Sequence, residues 1–192
     1  LLLRDVLNVV TTLREAKSVI YNGKVTVDGI IRKSLHHSIG LMDVIELQGI
    51  SDVYRLVPTN GHILQPIKID SAEKSKKLVK VTSKTTIKDK KIQLGFHDGR
   101  TIIADNNVNV GDSCLIQTPE QKILDVVKLE KDSLVIVTRG INTGKIGQVN
   151  NISEATFTLS KRINLTIDKK KFEMPADLVI VIGKEKPVVK IQ

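Results

Sequence analysis

LVIVTRGINTGKIGQVNNI, residues 134–152, joins an apolar strand to a second, alternating strand through a loop that is rich in glycine. Its glycines are Gly140, Gly144 and Gly147. Glycine reaches left-handed backbone conformations that side chains disfavour, so this loop can be tight and can approach another molecule closely. Arg139 and Lys145 add positive charge. The segment therefore predicts a strand–loop–strand unit that presents cations on a close-fitting backbone.

The same loop must be distinguished from a phosphate-binding P-loop. A P-loop has four residues between its first glycine and the Gly-Lys pair, followed by Ser or Thr. Here three residues, 141–143, intervene, and Ile146 follows the lysine. The chain then enters a strand rather than a helix whose N-terminus could hold phosphate. This pattern argues against nucleotide hydrolysis.

The segment resembles a KOW motif, a small β-barrel segment shared by several ribosomal proteins and transcription factors. We predict an SH3-like KOW barrel over residues 129–182, completed by strands at 157–160, 164–167 and 178–182. The remaining residues, 183–192, are predicted to be a flexible tail on the surface. Basic runs at 161–162 and 169–171 are placed in turns of the barrel.

Composition favours a basic, β-rich protein made of small modules. The chain has 192 residues, 41% of them hydrophobic but only 3% aromatic, so its cores depend on Ile, Val and Leu. Lys and Arg outnumber Asp and Glu by 30 to 21, which gives a net charge of +9 and a pI near 9.6. A pI this high is one mark of nucleic-acid-binding proteins. Cys114 is the only cysteine, so no disulfide can form within the chain, which is typical of proteins in a reducing compartment. We expect its thiol to be buried as a small apolar side chain.

The first unit, residues 1–49, is predicted to contain two short helices and a small sheet. Apolar residues from Leu3 to Val10 recur at helical spacing, and Thr12 to Glu15 has the form of a capping box for a second helix that Gly23 ends. Strands are predicted at 24–27 and 39–47. This order resembles the S-four-like RNA-binding module found in ribosomal proteins. Its candidate RNA-binding residues are Arg14, Lys17, Lys24, Arg32 and Lys33.

The second unit, residues 50–128, is predicted to be an antiparallel β barrel or sandwich. Six alternating segments and a turn at 97–100 indicate strands joined by tight connections. Nine lysines lie between residues 68 and 91. Lysines at strand edges can simply prevent edge pairing, whereas a basic stripe can also bind phosphates by releasing counterions. We favour the second interpretation, and the candidate contacts are Lys74, Lys76 and Lys77.

Taken in order, the three units resemble the archaeal and eukaryotic small-subunit ribosomal protein family S-four-e (S4e). The matching segments are GLMDVI at 40–45, VTRGINTGKIG at 137–147 and VIGK at 181–184. The resemblance implies an α+β, mostly β protein. Members also carry a basic segment before the first helix. Because this chain begins at Leu1 without Met and inside an apolar run, we expect a fragment that has lost its natural N-terminus.

The resemblance also implies a function. It implies a structural constituent of the small ribosomal subunit in the cytoplasm, which contacts ribosomal RNA and neighbouring ribosomal proteins. It implies no catalysis, cofactor, metal, membrane or small-molecule substrate, and we expect a monomer outside the ribosome. Few aromatic side chains are present to stack on bases, so binding should depend on phosphate contacts and RNA shape.

The sequence also bears on two other functions. An RNA-modifying enzyme would need a catalytic domain, and residues 50–182 lack the common nucleophile, zinc-protease and cysteine-rich metal motifs. A KOW-type transcription elongation or protein-interaction factor stays open, because the same barrel binds RNA or protein. The strongest candidate contacts lie on the glycine loop. They are Arg139, Asn142, Thr143 and Lys145.

Overall fold

The computed structural model describes residues 1–59, 62–104, 107–157 and 159–191. Within these ranges the chain forms three five-stranded antiparallel sheets and little helix, which confirms the predicted α+β, mostly β class. The first sheet has the strand order β2-β1-β3-β4-β5, the second β10-β9-β6-β7-β8 and the third β14-β13-β12-β11-β15. β-branched residues dominate the buried positions, as the composition predicted.

The N-terminal region contains one regular helix, α1 (Leu13–Tyr21). Its predicted capping box is confirmed, because the Thr12 hydroxyl accepts from the Glu15 amide at 3.2 Å and the Glu15 carboxylate accepts from the Thr12 amide at 3.3 Å. The helix predicted before α1, from Leu3 to Val10, is wrong in extent. Only one π-helical turn forms at Leu2–Val6, and the positive φ of Asn8 (51°) breaks the helical path before Val10.

The first sheet joins the N-terminal region to a hairpin that lies within the predicted second unit. Strand β3 pairs with β4 from Val44 opposite Arg55 to Glu46 opposite Val53. The predicted boundary at residue 49 therefore falls inside one sheet. The predicted strand at 39–47 begins only at Val44. The strands are β1 (Val25–Val27), β2 (Ile30–Ile31), β3 (Val44–Leu47), β4 (Val53–Thr59) and β5 (His62–Ile69).

The second sheet is built around the long strand β6. Its first half pairs with β9, and its second half pairs with β7. Cys114 is fully buried, and burial raises the pKa of its thiol to about 12, as expected for a small core residue. The strands are β6 (Lys76–Thr86), β7 (Ile92–Phe96), β8 (Thr101–Ala104), β9 (Ser113–Gln117) and β10 (Lys122–Val127).

The third sheet contains the glycine loop, and it differs from prediction in one strand. The described residues of the 157–160 segment form no strand, and Phe157 and Leu159 are exposed. A strand forms instead at Lys170–Pro175, where basic residues had suggested a turn. Its partner is the strand predicted at 164–167, which forms at Arg162–Ile167. The strands are β11 (Leu134–Val137), β12 (Ile146–Ser153), β13 (Arg162–Ile167), β14 (Lys170–Pro175) and β15 (Val179–Gly183).

The C-terminal segment is packed rather than lying loosely on the surface, so that prediction is wrong. Val189 and Ile191 are only 2% and 3% exposed. They belong to a core cluster shared by all three sheets, which includes Met42, Leu78 and Ile136. The apolar side chains of this segment therefore help to hold the sheets against one another. No helix among the described residues is long and apolar enough to cross a membrane.

Candidate nucleic-acid interface

The glycine loop between β11 and β12 is braced by its own backbone. The Val137 amide donates to the Lys145 carbonyl at 3.0 Å, and the Gly144 amide donates back to the Val137 carbonyl at 2.8 Å. Gly140 and Gly144 have φ values of +98° and +83°, which side chains rarely adopt. The loop therefore has a fixed shape that depends on glycine at these two positions.

The four candidate residues on this loop divide into two kinds. Arg139 is exposed, and no ion pair is found for it within the described part of the chain. Lys145 is half-buried and lies 3.7 Å from the exposed carboxylate of Asp168. Asn142 is half-buried. Thr143 is buried, and its hydroxyl donates to the Gly140 carbonyl at 2.5 Å, so it shapes the loop instead of reaching outward.

Most candidate cations of the N-terminal region are accessible. Arg14, Lys17, Lys24 and Lys33 are exposed. Arg32 is half-buried, and its Nε atom is buried without a hydrogen-bond partner among the described residues. Since Arg14 and Lys17 lie three residues apart on α1, they share one face of that helix.

Of the three candidates at or just before the start of β6, one is wrong. Lys74 and Lys76 are exposed, and Lys74 lies 3.5 Å from Glu46. Lys77 is only 1% exposed, because successive residues of a strand point to opposite faces and Lys77 faces inward. It cannot contact RNA at the surface of the folded protein.

Lys77 instead lies in a buried ionic network between the first two sheets. Its ammonium lies 2.8 Å from Asp28, 2.6 Å from Asp43 and 3.1 Å from Asp98. Arg100 contacts Asp28 at 2.5 Å and Asp98 at 3.3 Å. Burial alone would lower the pKa of Lys77, but Asp28 and Asp43 more than offset it and leave that pKa above its usual value. The ammonium therefore stays charged.

Sequence reasoning missed two further buried cations, Arg55 and Lys80. The Arg55 guanidinium contacts the Glu73 carboxylate at 2.7 Å and the Lys190 carbonyl at 3.0 Å, which fixes the C-terminal segment. The Lys80 ammonium donates to the Ala176 carbonyl at 2.7 Å and so joins the second sheet to the third. For the lysine, the run KKLVKV at 76–81 carried a signal, since Lys80 lies between apolar strand residues and a lysine that becomes buried there needs a partner.

An exposed cluster of lysines forms the tip of the β6–β7 hairpin. Lys88, Lys90 and Lys91 are exposed, and Asp89 and Lys90 have φ values of 63° and 58°. Non-glycine residues adopt positive φ at a cost, and such residues often occur at functional positions. These lysines belong to the basic stripe predicted between residues 68 and 91, but they are not among its three candidate contacts.

The stability of the fold should decrease at acidic pH. Burial lowers the pKa of His97 below 6.5, so the unfolded chain takes up this proton first and acid favours unfolding from about pH 6.5 downward. Burial alone would raise the pKa of Asp98, but Lys77 and Arg100 together outweigh it and lower that pKa, which adds a second loss of stability below about pH 4. Urea unfolding at a series of pH values measures both losses. Equal stability at pH 7 and pH 5 would contradict the loss attributed to His97. The variant His97→Gln should no longer show that loss.

The fold and the sequence both have known relatives. A sequence model of the ribosomal family S4e matches residues 50–123. The small ribosomal subunit protein eS4 of Methanothermobacter thermautotrophicus is 38% identical over the whole of this chain and 79% of its own length. The protein of the same name from Korarchaeum cryptofilum is 39% identical over the whole of this chain and 80% of its own length.

A solved structure shows similarity to the same family. The crystal structure of the 30S ribosomal protein S4e from Thermoplasma acidophilum superposes with a TM-score of 0.79 and 32% identity, over 95% of this chain and 92% of that one. Three β-sheets, exposed lysines and a braced glycine loop define a modular, basic β protein. The chain belongs to the ribosomal family S4e.

Proposed function

We propose that this protein is a structural constituent of the small ribosomal subunit and binds ribosomal RNA. The braced glycine loop carries the proposal, because it holds the accessible Arg139 and Lys145 on a backbone of fixed shape. The net charge of +9 and the similarity to small-subunit proteins over the whole of this chain support it. The role is structural rather than enzymatic.

Binding of this kind depends on phosphates and RNA shape. Lys and Arg side chains that replace counterions at phosphates supply affinity without reading sequence. Ten residues form the proposed contact surface, and Lys77 and Thr143 are left out because they are buried. They are Arg14, Lys17, Lys24, Arg32, Lys33, Lys74, Lys76, Arg139, Asn142 and Lys145.

The proposed partners are ribosomal RNA and neighbouring proteins of the small subunit, in the cytoplasm. Outside the ribosome we propose a monomer. No cofactor, metal, membrane or small-molecule substrate is part of the proposal. The family relationship favours this role over a KOW-type transcription factor, since the relatives carry the name of a small-subunit protein.

Sedimentation of the tagged protein from its native cells through a sucrose gradient tests the function. We expect the protein to migrate with small subunits and to stay there at moderate salt. The charge reversals Arg139→Glu and Lys145→Glu together should release the protein at lower salt, because each lost phosphate contact lowers the salt slope by about 0.7–0.9. Both side chains are accessible, so the fold should remain intact.

Two exposed lysines outside the proposed surface provide a matched control. Lys122→Glu and Lys128→Glu change the net charge by the same amount, and this double variant should sediment like the parent. Migration of the parent at the top of the gradient, or with RNA polymerase, would reject the ribosomal role. Equal salt sensitivity of the two double variants would reject the glycine loop as a contact.

A further inference from the structure

A cavity of about 640 Å³ lies where the three sheets meet. The first sheet region contributes Leu41, the second contributes Lys80 and His97, and the third contributes Arg139 and Asp177. The cavity therefore contains one buried lysine from β6 and one arginine from the glycine loop. Neither residue's role in the fold explains why these two cations share a cavity.

Lys80 is incompletely satisfied. The residue is 6% exposed, and its ammonium makes one hydrogen bond, to the Ala176 carbonyl, within the described part of the chain. An ammonium has three N–H donors, so two have no protein acceptor there. Burial lowers the pKa of Lys80 to about 8, since Asp177 compensates only in part. A buried cation in this condition would be stabilised by an added anion.

The other groups around the cavity leave room for one negative charge. The His97 ring is neutral at pH 7, because Nδ1 accepts from the Lys80 amide at 3.0 Å, Nε2 donates to the Leu41 carbonyl at 3.3 Å, and burial lowers its pKa. The charged side chains of the lining are Lys80 and Arg139 against Asp177, a net charge of +1. A phosphodiester carries one negative charge, so it would neutralise this set.

We propose that the cavity binds one phosphate group of an RNA backbone, with Lys80 as the buried donor and Arg139 as the donor at the rim. This inference rests on the proposed function and names one of its contact sites. A phosphate held there would connect β6 to the glycine loop, so the two would act as a clamp. The ammonium would gain acceptors for its free donors, and the guanidinium can bind two phosphate oxygens at once.

The pKa of Lys80 in the whole protein provides the test. It can be followed by NMR from the Cε chemical shift of a ¹³C-labelled sample during a pH titration. With a short RNA duplex of about 16 base pairs at saturation, we expect this pKa to rise by about one pH unit or more, because a nearby anion favours the charged form. Inorganic phosphate at the same phosphate concentration should produce a smaller rise.

Variants assign the signal and separate the contributions. Lys80→Met removes the resonance that titrates near pH 8, and Lys122→Met, an exposed control, leaves it in place. Arg139→Gln should reduce the rise in the Lys80 pKa that RNA causes. In the free protein, the same variant should change the Lys80 pKa by a smaller amount. Should Lys80→Met fail to fold, the low pKa itself identifies the resonance in the parent protein.

The outcomes separate this inference from the proposed function. RNA binding with an unchanged Lys80 pKa overturns the inference and leaves the proposed function in place. A rise with inorganic phosphate but not with RNA overturns the assignment to an RNA phosphate. Failure of the parent protein to bind any RNA would overturn both, whereas the expected rise supports both.

Discussion

Lys77→Met should lower the free energy of unfolding by about 3–5 kcal/mol. The substitution preserves side-chain length but leaves Asp28, Asp43 and Asp98 close together without their shared cation. The guanidinium of Arg100 remains, but it contacts only Asp28 and Asp98. Uncompensated buried carboxylates must either be protonated or repel one another, and both costs fall on the folded state.

Chemical denaturation of three variants tests this expectation. Lys76→Met changes an exposed neighbour on the same strand and should alter stability by less than about 0.5 kcal/mol. Lys80→Met removes a buried cation that lacks a close carboxylate partner, and its acceptor, the Ala176 carbonyl, keeps the bond from the Val179 amide, so the loss of stability should be smaller than for Lys77→Met. If Lys77→Met were as stable as Lys76→Met, the ionic network would contribute nothing to holding the first two sheets together.

Arg55→Met should destabilise the protein by about 3 kcal/mol and release the C-terminal segment. The guanidinium is fully buried and donates to the carboxylate of Glu73 and to the carbonyls of Glu73, Lys76 and Lys190. Its removal takes one donor away from each of these acceptors. Because Glu73 also accepts from the Lys190 amide at 3.0 Å, loss of the arginine should weaken that bond as well.

Hydrogen exchange locates the effect. In the variant, the amides of Val188 and Lys190 should exchange faster, while the core amides of β11 and β15 should keep their protection. Arg4→Met is the matched control, since Arg4 forms an exposed pair with Asp5 that should contribute little. Unchanged protection at residue 190 would show that apolar packing alone holds the segment.

Arg55, Lys77 and Lys80 together explain how the three sheets keep a fixed arrangement. Each cation crosses from one part of the chain to another: to the C-terminal segment, to the first sheet and to the third sheet. Buried polar groups of this kind favour one arrangement because every other one leaves them unpaired. A fixed arrangement would hold the proposed RNA contacts at constant spacing.

Local features were accessible from the sequence. The Thr12 capping box and the turn at 97–100 between β7 and β8 are confirmed, and so is the mostly β class. Each depends on residues within a few positions of one another, whose backbone preferences and short hydrogen bonds act in any context. The left-handed glycines of the loop belong to the same group.

The helix before Asn8, the strand at 157–160 and the surface tail were all inferred from local pattern, and each is wrong. For the tail, the structure shows that distant partners decided the outcome. Val189 and Ile191 are buried because other sheets supply an apolar surface for them. No property of residues 183–192 alone could show that surface.

Composition and neighbouring residues were enough to predict the class of the fold, the net charge of the chain and a tight glycine loop. The segments at 40–45, 137–147 and 181–184 were enough to indicate the family. The tertiary structure alone decided which lysines are exposed: Lys76 faces water, whereas Lys77 meets three carboxylates from elsewhere in the chain. The physical reason is that burial and ion pairing depend on groups brought together by folding, and adjacent residues on one strand face opposite sides.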